Sequence, residues 1–355
     1  MPSQHRSRPA NSRYVDNILT QARLTIEVSR AELDEARTRR SAIGSALQRE
    51  FPGSRVYVNG SLAHGDANCP LTDFDLGVVI ANPDGEFGPG ATGPTALQER
   101  AADAIRRELK ATYGDLRVEV TGRKRSILVR FRDPIVPGQP DFTGDVIIAL
   151  DNPGAEGLFI PRFHMWDRSH PEKHTELVLL ANAVSASTFA RTVRLVKHWN
   201  CQHGKPLCSW HIKALALDVI TAPMSPSEAL LAWFEHAAKE LANGDTPDPA
   251  GVAAKPIITR VDRQVASQAC ATAADQLRDA AAYASEGYEA LAQDKLAKWM
   301  NDPDVIAPPA KSDVISEGAD RLRPASGPSA ATLITGVGVG VGAAAARPNV
   351  RSWRP

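Results

Sequence analysis

No net charge is left on this chain, because its 41 lysines and arginines are matched by 41 aspartates and glutamates. A protein dedicated to duplex nucleic acid carries a basic excess, so nucleic acid is not implied as the main partner, although the sum still allows a local basic groove. Cysteine is scarce. Cys69, Cys201, Cys208 and Cys270 are scattered over 355 residues, which is no disulfide framework and fits a reducing, cytoplasmic setting. The opening "MPSQHRSRPANSRY" is polar and lacks the apolar core of a secretory leader. Long apolar runs are missing too. The most apolar low-complexity stretch, 331–346 ("ATLITGVGVGVGAAAA"), falls short of the roughly 20 residues that span a bilayer, so it reads as a tail and no membrane span is expected. The rest is an ordinary globular composition, 43% hydrophobic and 23% charged, on a chain long enough for two lobes and further segments.

After a flexible N-terminus (1–13), residues 14–50 place apolar positions at helical spacing without proline, which predicts one long helix or two in succession. "PGSRVYVNGS" reads as a turn and a short strand, and "DFDLGVVI" as a second strand closed by the loop "ANPDGEFGPGATGP". "TALQERAADAIRRELKATYG" predicts an amphipathic helix ended by Gly114, "LRVEVTGRKRSILVRF" two strands around a glycine turn, and "DVIIAL" another strand. Residues 14–165 therefore read as an α/β lobe with a mixed sheet. Residues 166–306 read as a helical lobe, almost all helix from Thr175 onward. One of its helices opens on Ser185 or Ser187 as N-cap and carries Phe189, Val193 and Val196 as its apolar stripe; Gly204-Lys205-Pro206 breaks it before "SWHIKALALDVI". From 307 to 355 the chain becomes a low-complexity tail expected to lack structure. Its end, "NVRSWRP", is read either as a docking peptide for a regulatory protein partner or as an unselected extension.

Two aspartates, Asp73 and Asp75, stand at the mouth of the apolar run Leu76–Ile80, where a buried strand would begin more easily with something cheaper to desolvate. Strand alternation puts both on one face, about 6.6 Å apart, with Phe74 and Leu76 on the other. Such a pair repels by about 4 kcal/mol at close approach in an effective dielectric near 20. A divalent cation reverses that sign, and hard Mg²⁺ takes one or two carboxylates together with substrate phosphates. Phosphates need donors, and Gly60-Ser61, separated from Asp73 by eleven residues, supplies backbone and hydroxyl groups at the end of a short strand. A third acid is expected from a neighbouring strand. Asp145 stands directly ahead of its own apolar run, as Asp75 does; Asp141 competes but is separated from the strand by Gly144, so Asp145 is favoured.

Gly60-Ser61, eleven residues, then Asp73-Phe74-Asp75-Leu76 resembles the signature of the polymerase-β-type nucleotidyltransferase superfamily. "RLVKHWNCQHGKPLCSWHIKALAL" resembles the lysine–tryptophan and serine–aromatic helices of the branch holding oligoadenylate synthases, cyclic GMP–AMP synthase and the bacterial cyclic-oligonucleotide synthases, the CD-NTase-like proteins. "PDPAG" (247–251) and the late "AKWMNDPDVIAPP" are similar to that branch's closing elements. The resemblance covers residues 15–309. It implies an α/β + α architecture: a mixed-sheet nucleotidyltransferase lobe with a long N-terminal helix, an all-helical lobe, and an active site in the cleft between them. It implies that Asp73 and Asp75 hold two Mg²⁺ ions, with Mn²⁺ as an alternative, and that Asp145 binds the catalytic one. The Gly60 amide and Ser61 would grip the triphosphate of an NTP substrate, Lys197 would reach it from the helical lobe, and Ser209 would be a further phosphate contact. The implied product is a cyclic or linear oligonucleotide second messenger of bacterial anti-phage signalling. Alternatives are nucleotide transfer to RNA, a protein or a small molecule, and a catalytically inactive nucleotide-binding sensor or antitoxin. One departure stands out: Asp66 follows Gly65 where the branch often has threonine.

Blander readings stand beside these. Lys197 is also a plausible solvated helix residue, Trp199 reads as lobe packing, and Ser209 is a natural N-cap. Cys201, His203, Cys208 and His211 have spacings unusual for structural zinc. His164, His170 and His174 read as satisfied histidines, and His64 as exposed above the metal pair.

Overall fold

A computed structural model describes residues 13–323 of the chain, except Pro83 and Ala254. The segment 14–50 forms two helices, α1 (Tyr14–Thr25) and α2 (Arg30–Glu50). Ser29 separates them by a capping box: its hydroxyl accepts from Glu32 N at 3.2 Å, and its own N–H donates to Glu32 Oε2 at 3.0 Å. The two helices serve different cores. Val15, Leu19, Ala22 and Ile26 join the helical core, whereas Ala36, Ile43, Ala46 and Leu47 of α2 pack with the sheet.

The sheet lobe runs β1 (Arg55–Asn59), α3 (Gly60–His64), β2 (Asp73–Val79), α4 (Pro94–Leu109), β3 (Arg117–Glu119), β4 (Ile127–Arg130), β5 (Thr143–Asp151), β6 (Leu158–Arg162) and β7 (Met165–Ser169). The spatial order is β1-β2-β5-β4-β3, with β6 on the end of β5 and β7 beyond it. Only β2 and β5 are parallel among these pairs, so the sheet is mixed, as expected. Alternation does the sorting. Phe74, Leu76 and Val78 of β2 and Val146 and Ile148 of β5 point into the core under α2 and α4. Gly144 is required there, since a Cβ would lie 2.6 Å from the Phe74 ring. Helix α4 ends at Leu109, short of Gly114. The hairpin β6–β7 was not anticipated.

The second body contains α5 (Pro171–Val184), α6 (Thr188–Gln202), α7 (Ser209–Val219), α8 (Pro226–Asn243), α9 (Arg263–Ser285), α10 (Glu289–Met300) and α11 (Lys311–Leu322). Phe234 sits edge-on to Trp199, Trp233 and Trp299, with ring centroids 4.8, 4.9 and 5.9 Å away, and each such pair adds about 0.5–1.5 kcal/mol beyond area burial. Trp199 is thus core, as its place beside the apolar stripe indicated. At the start of α6, Ser185 Oγ accepts from Phe189 N at 3.1 Å, while Ser187 takes φ +66° and makes no side-chain cap. Helix α11 corrects the expectation of an unstructured tail from residue 307. Glu317 accepts from Leu291 N at 3.0 Å in the first turn of α10, and Arg321 pairs with Glu286 while lying 4.7 Å over the Tyr283 ring. The ending "NVRSWRP" lies outside the described residues. No helix among them is long and apolar enough to cross a membrane.

Candidate functional site

Parallel pairing of β2 with β5 puts Asp73 opposite Thr143 and Asp75 opposite Asp145. Neighbouring strands lie about 4.8 Å apart, so Asp75 and Asp145 emerge side by side from the same edge. Asp141 precedes β5 and has no place in this register; its buried carboxylate makes no hydrogen bond within the protein. Asp73 is exposed at the rim and Asp75 lies deeper. Burial, then the charges of Asp73 and Asp145, push the Asp75 carboxyl up to about 6. Desolvation by the surrounding cleft walls, then the charge of Asp145, also raises Asp73. Asp145 Oδ1 accepts from Arg123 Nη2 at 2.8 Å and from Ser126 Oγ at 2.6 Å. No three His, Cys, Asp or Glu side chains among the described residues stand gathered to hold a metal. The donor set nevertheless suits a hard divalent cation: three oxygen-bearing acids on adjoining strands, two of them destabilised as anions, and the third already drawing a guanidinium.

Gly60 begins α3 at φ +74°, and a Cβ there would lie 1.7 Å from Asp75 Oδ2. No other residue fits beside that carboxylate. Its amide is used locally, donating to Asn59 Oδ1 at 2.7 Å. The expected role of the Gly60 N–H as a phosphate donor therefore meets a group already engaged by its own N-cap. Ser61, one residue on, is half-buried and lines the cleft.

Behind α3 lies a buried polar network that the sequence did not reveal. Lys197 Nζ bonds Asp66 twice, at 2.8 Å to its carbonyl and 2.9 Å to Oδ1. Lys213 Nζ is 3.0 Å from Asp66 Oδ2 and 2.6 Å from His64 Nδ1. Burial alone would raise the Asp66 carboxyl, but the ammoniums of Lys213 and Lys197 outweigh it and hold Asp66 below the usual range. His64 is 2% exposed, which corrects its expected exposure. Burial, reinforced by Lys213, pushes its imidazole down to about 3. The ring is therefore neutral: Nδ1 accepts from Lys213, and Nε2–H points to Thr175 Oγ1 at 3.1 Å. Arg194 fastens the same loop through the carbonyls of Gly65 and Ala67. The departure at Asp66 is a buried counter-ion.

The cleft between the two bodies has a volume of about 750 Å³, and Ser61, Asp73, Asp75, Lys197, Ser209 and Lys213 all line it. Asp145, turned toward Arg123, does not. Ser209 is the first residue of α7; the N-cap is Cys208, whose Sγ accepts from His211 N at 3.4 Å, so the capping expected of Ser209 falls one residue earlier. Further along, His174 stacks on Trp210 at 4.1 Å and bonds Asp248 at 2.7 Å, joining the "PDPAG" stretch to the cleft wall. His170 caps α5, and His164 bonds Thr95. His211 bonds Thr246 and His203 the Trp199 carbonyl.

No family model matches the chain. In sequence it is 26% identical over 207 residues to the cyclic AMP-AMP-AMP synthase of Escherichia coli (strain MS 115-1), a match covering 53% of this chain and 57% of that protein. In structure it resembles CdnC of E. coli MS115-1 with ATP (TM-score 0.58, 16% identity, 80% of this chain and 96% of that one). It also resembles the CD-NTase CdnG of Bradyrhizobium diazoefficiens with GTP (TM-score 0.58, 15% identity, 81% and 99%). The cyclic AMP-GMP synthase DncV of Vibrio cholerae matches at TM-score 0.55 and 13% identity, over 81% and 86%. This is a CD-NTase-like nucleotidyltransferase fold. The chain spans little more than half the length of the synthase it matches in sequence. Around the candidate site, Arg123, Ser126 and Lys213 had no role in the sequence reading, and Asp66 stood there only as a departure. Arg123 and Ser126 lie in "TGRKRS", which read only as a turn between strands.

Proposed function

We propose that this chain is a metal-dependent nucleotidyltransferase that joins NTPs into a cyclic or linear oligonucleotide with release of pyrophosphate. One observation carries the reading: Asp75 and Asp145 are register partners on the parallel strands β2 and β5, beside a cleft lined by Asp73, Ser61, Lys197 and Ser209. Asp73, Asp75 and Asp145 would hold Mg²⁺, as two ions, or Mn²⁺. Bound there, the metal supplies charge neutralisation at the attacking hydroxyl and at the leaving pyrophosphate. The chain's own residues bind and orient. Lys197 and the hydroxyls of Ser61 and Ser209 take the triphosphate, and the missing Cβ of Gly60 lets the chain turn tightly beside Asp75. An acceptor hydroxyl then attacks the α-phosphorus in line; the new O–P bond forms as the α–β bridging bond breaks. Positioning and electrostatics carry such a reaction.

The oligonucleotide product is supported by the names of the relatives, which make cyclic AMP-AMP-AMP and cyclic AMP-GMP. The setting we infer, bacterial anti-phage signalling in the cytoplasm, rests on the resemblance. CdnC has been solved in complex with a HORMA protein, which supports a regulatory protein partner here. The test is incubation with each labelled NTP and mixtures of them in Mg²⁺ or Mn²⁺, followed by phosphatase. A small phosphatase-resistant product that disappears in Asp75→Asn and Asp145→Asn supports the proposal. Label on macromolecules instead would point to transfer onto RNA or protein, and tight NTP binding without incorporation under either metal would overturn catalysis.

A further inference from the structure

Two ammonium groups share one carboxylate under the cleft, and they are placed differently. Both lysines line the cleft, but the Lys197 side chain is 14% exposed, whereas those of Lys213 and Asp66 are 4% and 0% exposed. Lys213 is also held from its other side, since its Nζ donates to the neutral His64, which in turn is fixed by Thr175. Thr175 lies within 3.4 Å of both Val58 O and Asn59 Oδ1, so this anchoring ends at the N-cap of α3. The set of Lys197, Lys213, Asp66 and neutral His64 carries one excess positive charge facing an anion site.

A single lysine on a buried carboxylate would be trapped there, because moving toward a phosphate would abandon an unpaired charge away from water. The second lysine removes the trap. While Lys213 stays bound by His64, Asp66 remains compensated as Lys197 turns an N–H toward the cleft.

We propose that Asp66, Lys213 and His64 form a buried positioning unit that holds Lys197 at the cleft when no nucleotide is bound and lets it transfer to the triphosphate when one enters. This rests on the proposed contact of Lys197 with nucleotide. Titration calorimetry with non-hydrolysable ATP and GTP analogues in Mg²⁺ tests the two separately. If the wild type binds neither analogue, or Lys197→Met binds as tightly as wild type, the reading of Lys197 itself fails. If Lys197→Met weakens binding, the inference is read from Lys213→Met. That variant should fold, as monitored by its melting temperature, and bind at least about tenfold more weakly, because Lys197 is now the sole partner of Asp66. Adding Asp66→Asn to it should restore affinity to within about threefold of wild type, a rescue that lost packing would not give. Wild-type affinity in Lys213→Met, or no recovery in the double variant, overturns the proposal. Should Lys213→Met not fold, Asp66→Asn alone serves. It should bind at least as tightly as wild type, and a loss of more than about tenfold in the folded protein is the overturning result.

Discussion

Replacing Asp75 with asparagine should make the metal-free protein more stable, although it removes a residue assigned to the site. Asp75 moves from its ordinary value of 3.8 to about 6 because it is buried beside Asp73 and Asp145. A raised folded-state value means that the fold prefers the protonated acid. The penalty is absent below pH 3.8, grows between 3.8 and 6, and is complete above 6. A shift of roughly two units corresponds to about 3 kcal/mol at pH 7.5, and about half of that at pH 5. Asparagine keeps the shape and loses the charge. In EDTA at pH 7.5, Asp75→Asn should melt several degrees above wild type, at about 2–4 °C per kcal/mol for a domain of 150–250 residues. The gap should narrow by about half at pH 5. Added Mg²⁺ or Mn²⁺ should raise the wild-type melting temperature and leave the variant nearly unmoved, since a cation recovers the repulsion only where the carboxylate is present. Scanning calorimetry at the two pH values, with and without metal, reads all of this. A variant no more stable than wild type in EDTA at pH 7.5, or a gap that widens on acidification, would refute the electrostatic account of the site.

Gly60→Ala forces a Cβ to within 1.7 Å of Asp75 Oδ2 at φ +74°; it should cost at least about 1–3 kcal/mol in denaturant unfolding and remove nucleotide incorporation. Asp145→Asn should lower incorporation by at least about 100-fold while leaving NTP-analogue binding measurable by calorimetry. Arg123→Gln removes the cation now 2.8 Å from Asp145 and should tighten Mn²⁺ binding, followed by electron paramagnetic resonance of the free ion, by up to about fivefold. Glu317→Ala deprives Leu291 N of its acceptor and should lower unfolding stability by about 1–2 kcal/mol with incorporation unchanged.

What the sequence made legible follows from local periodicity. "DFDLGVVI" announces β2 because aspartates interrupt an alternation whose other positions are apolar, and the buried residues Phe74, Leu76 and Val78 sit where that alternation puts them. Helices α8 and α9 carry their own apolar stripes and side-chain caps at Ser225 and Asp262. Elements that depend on a distant partner were invisible. Among the described residues β6 and β7 stand at the edge of the sheet: they pair with each other along their whole length, and β6 joins the sheet only at Leu150 and Asp151 of β5. Helix α11 buries only Glu317 and leaves Ile315 and Leu322 exposed, so its signal lies in contacts with α10, not in its own apolar pattern. A distant partner also places α1, whose apolar stripe says that it packs but not that it packs across the chain on α6, α8, α9 and α10.

The candidate site divides along the same line. Acids that line one strand edge can be found by spacing, since β geometry converts a two-residue interval into a shared face. A counter-ion cannot. Asp66 lies 131 positions from Lys197 and farther still from Lys213, and a charged residue in a Gly- and Asn-containing loop looks solvated until the helices close over it. Once they do, the physics inverts. A carboxylate with no exposure is tolerable only with compensating charge, so its burial selects Lys197 and Lys213 as surely as a metal would, and the neutral His64 accepts from the second of them. Where a residue departs from the pattern a chain otherwise resembles, in a loop between two site elements, its burial points to a distant charge. Here that charge is two lysines on α6 and α7, both lining the cleft and Lys197 the more exposed of them.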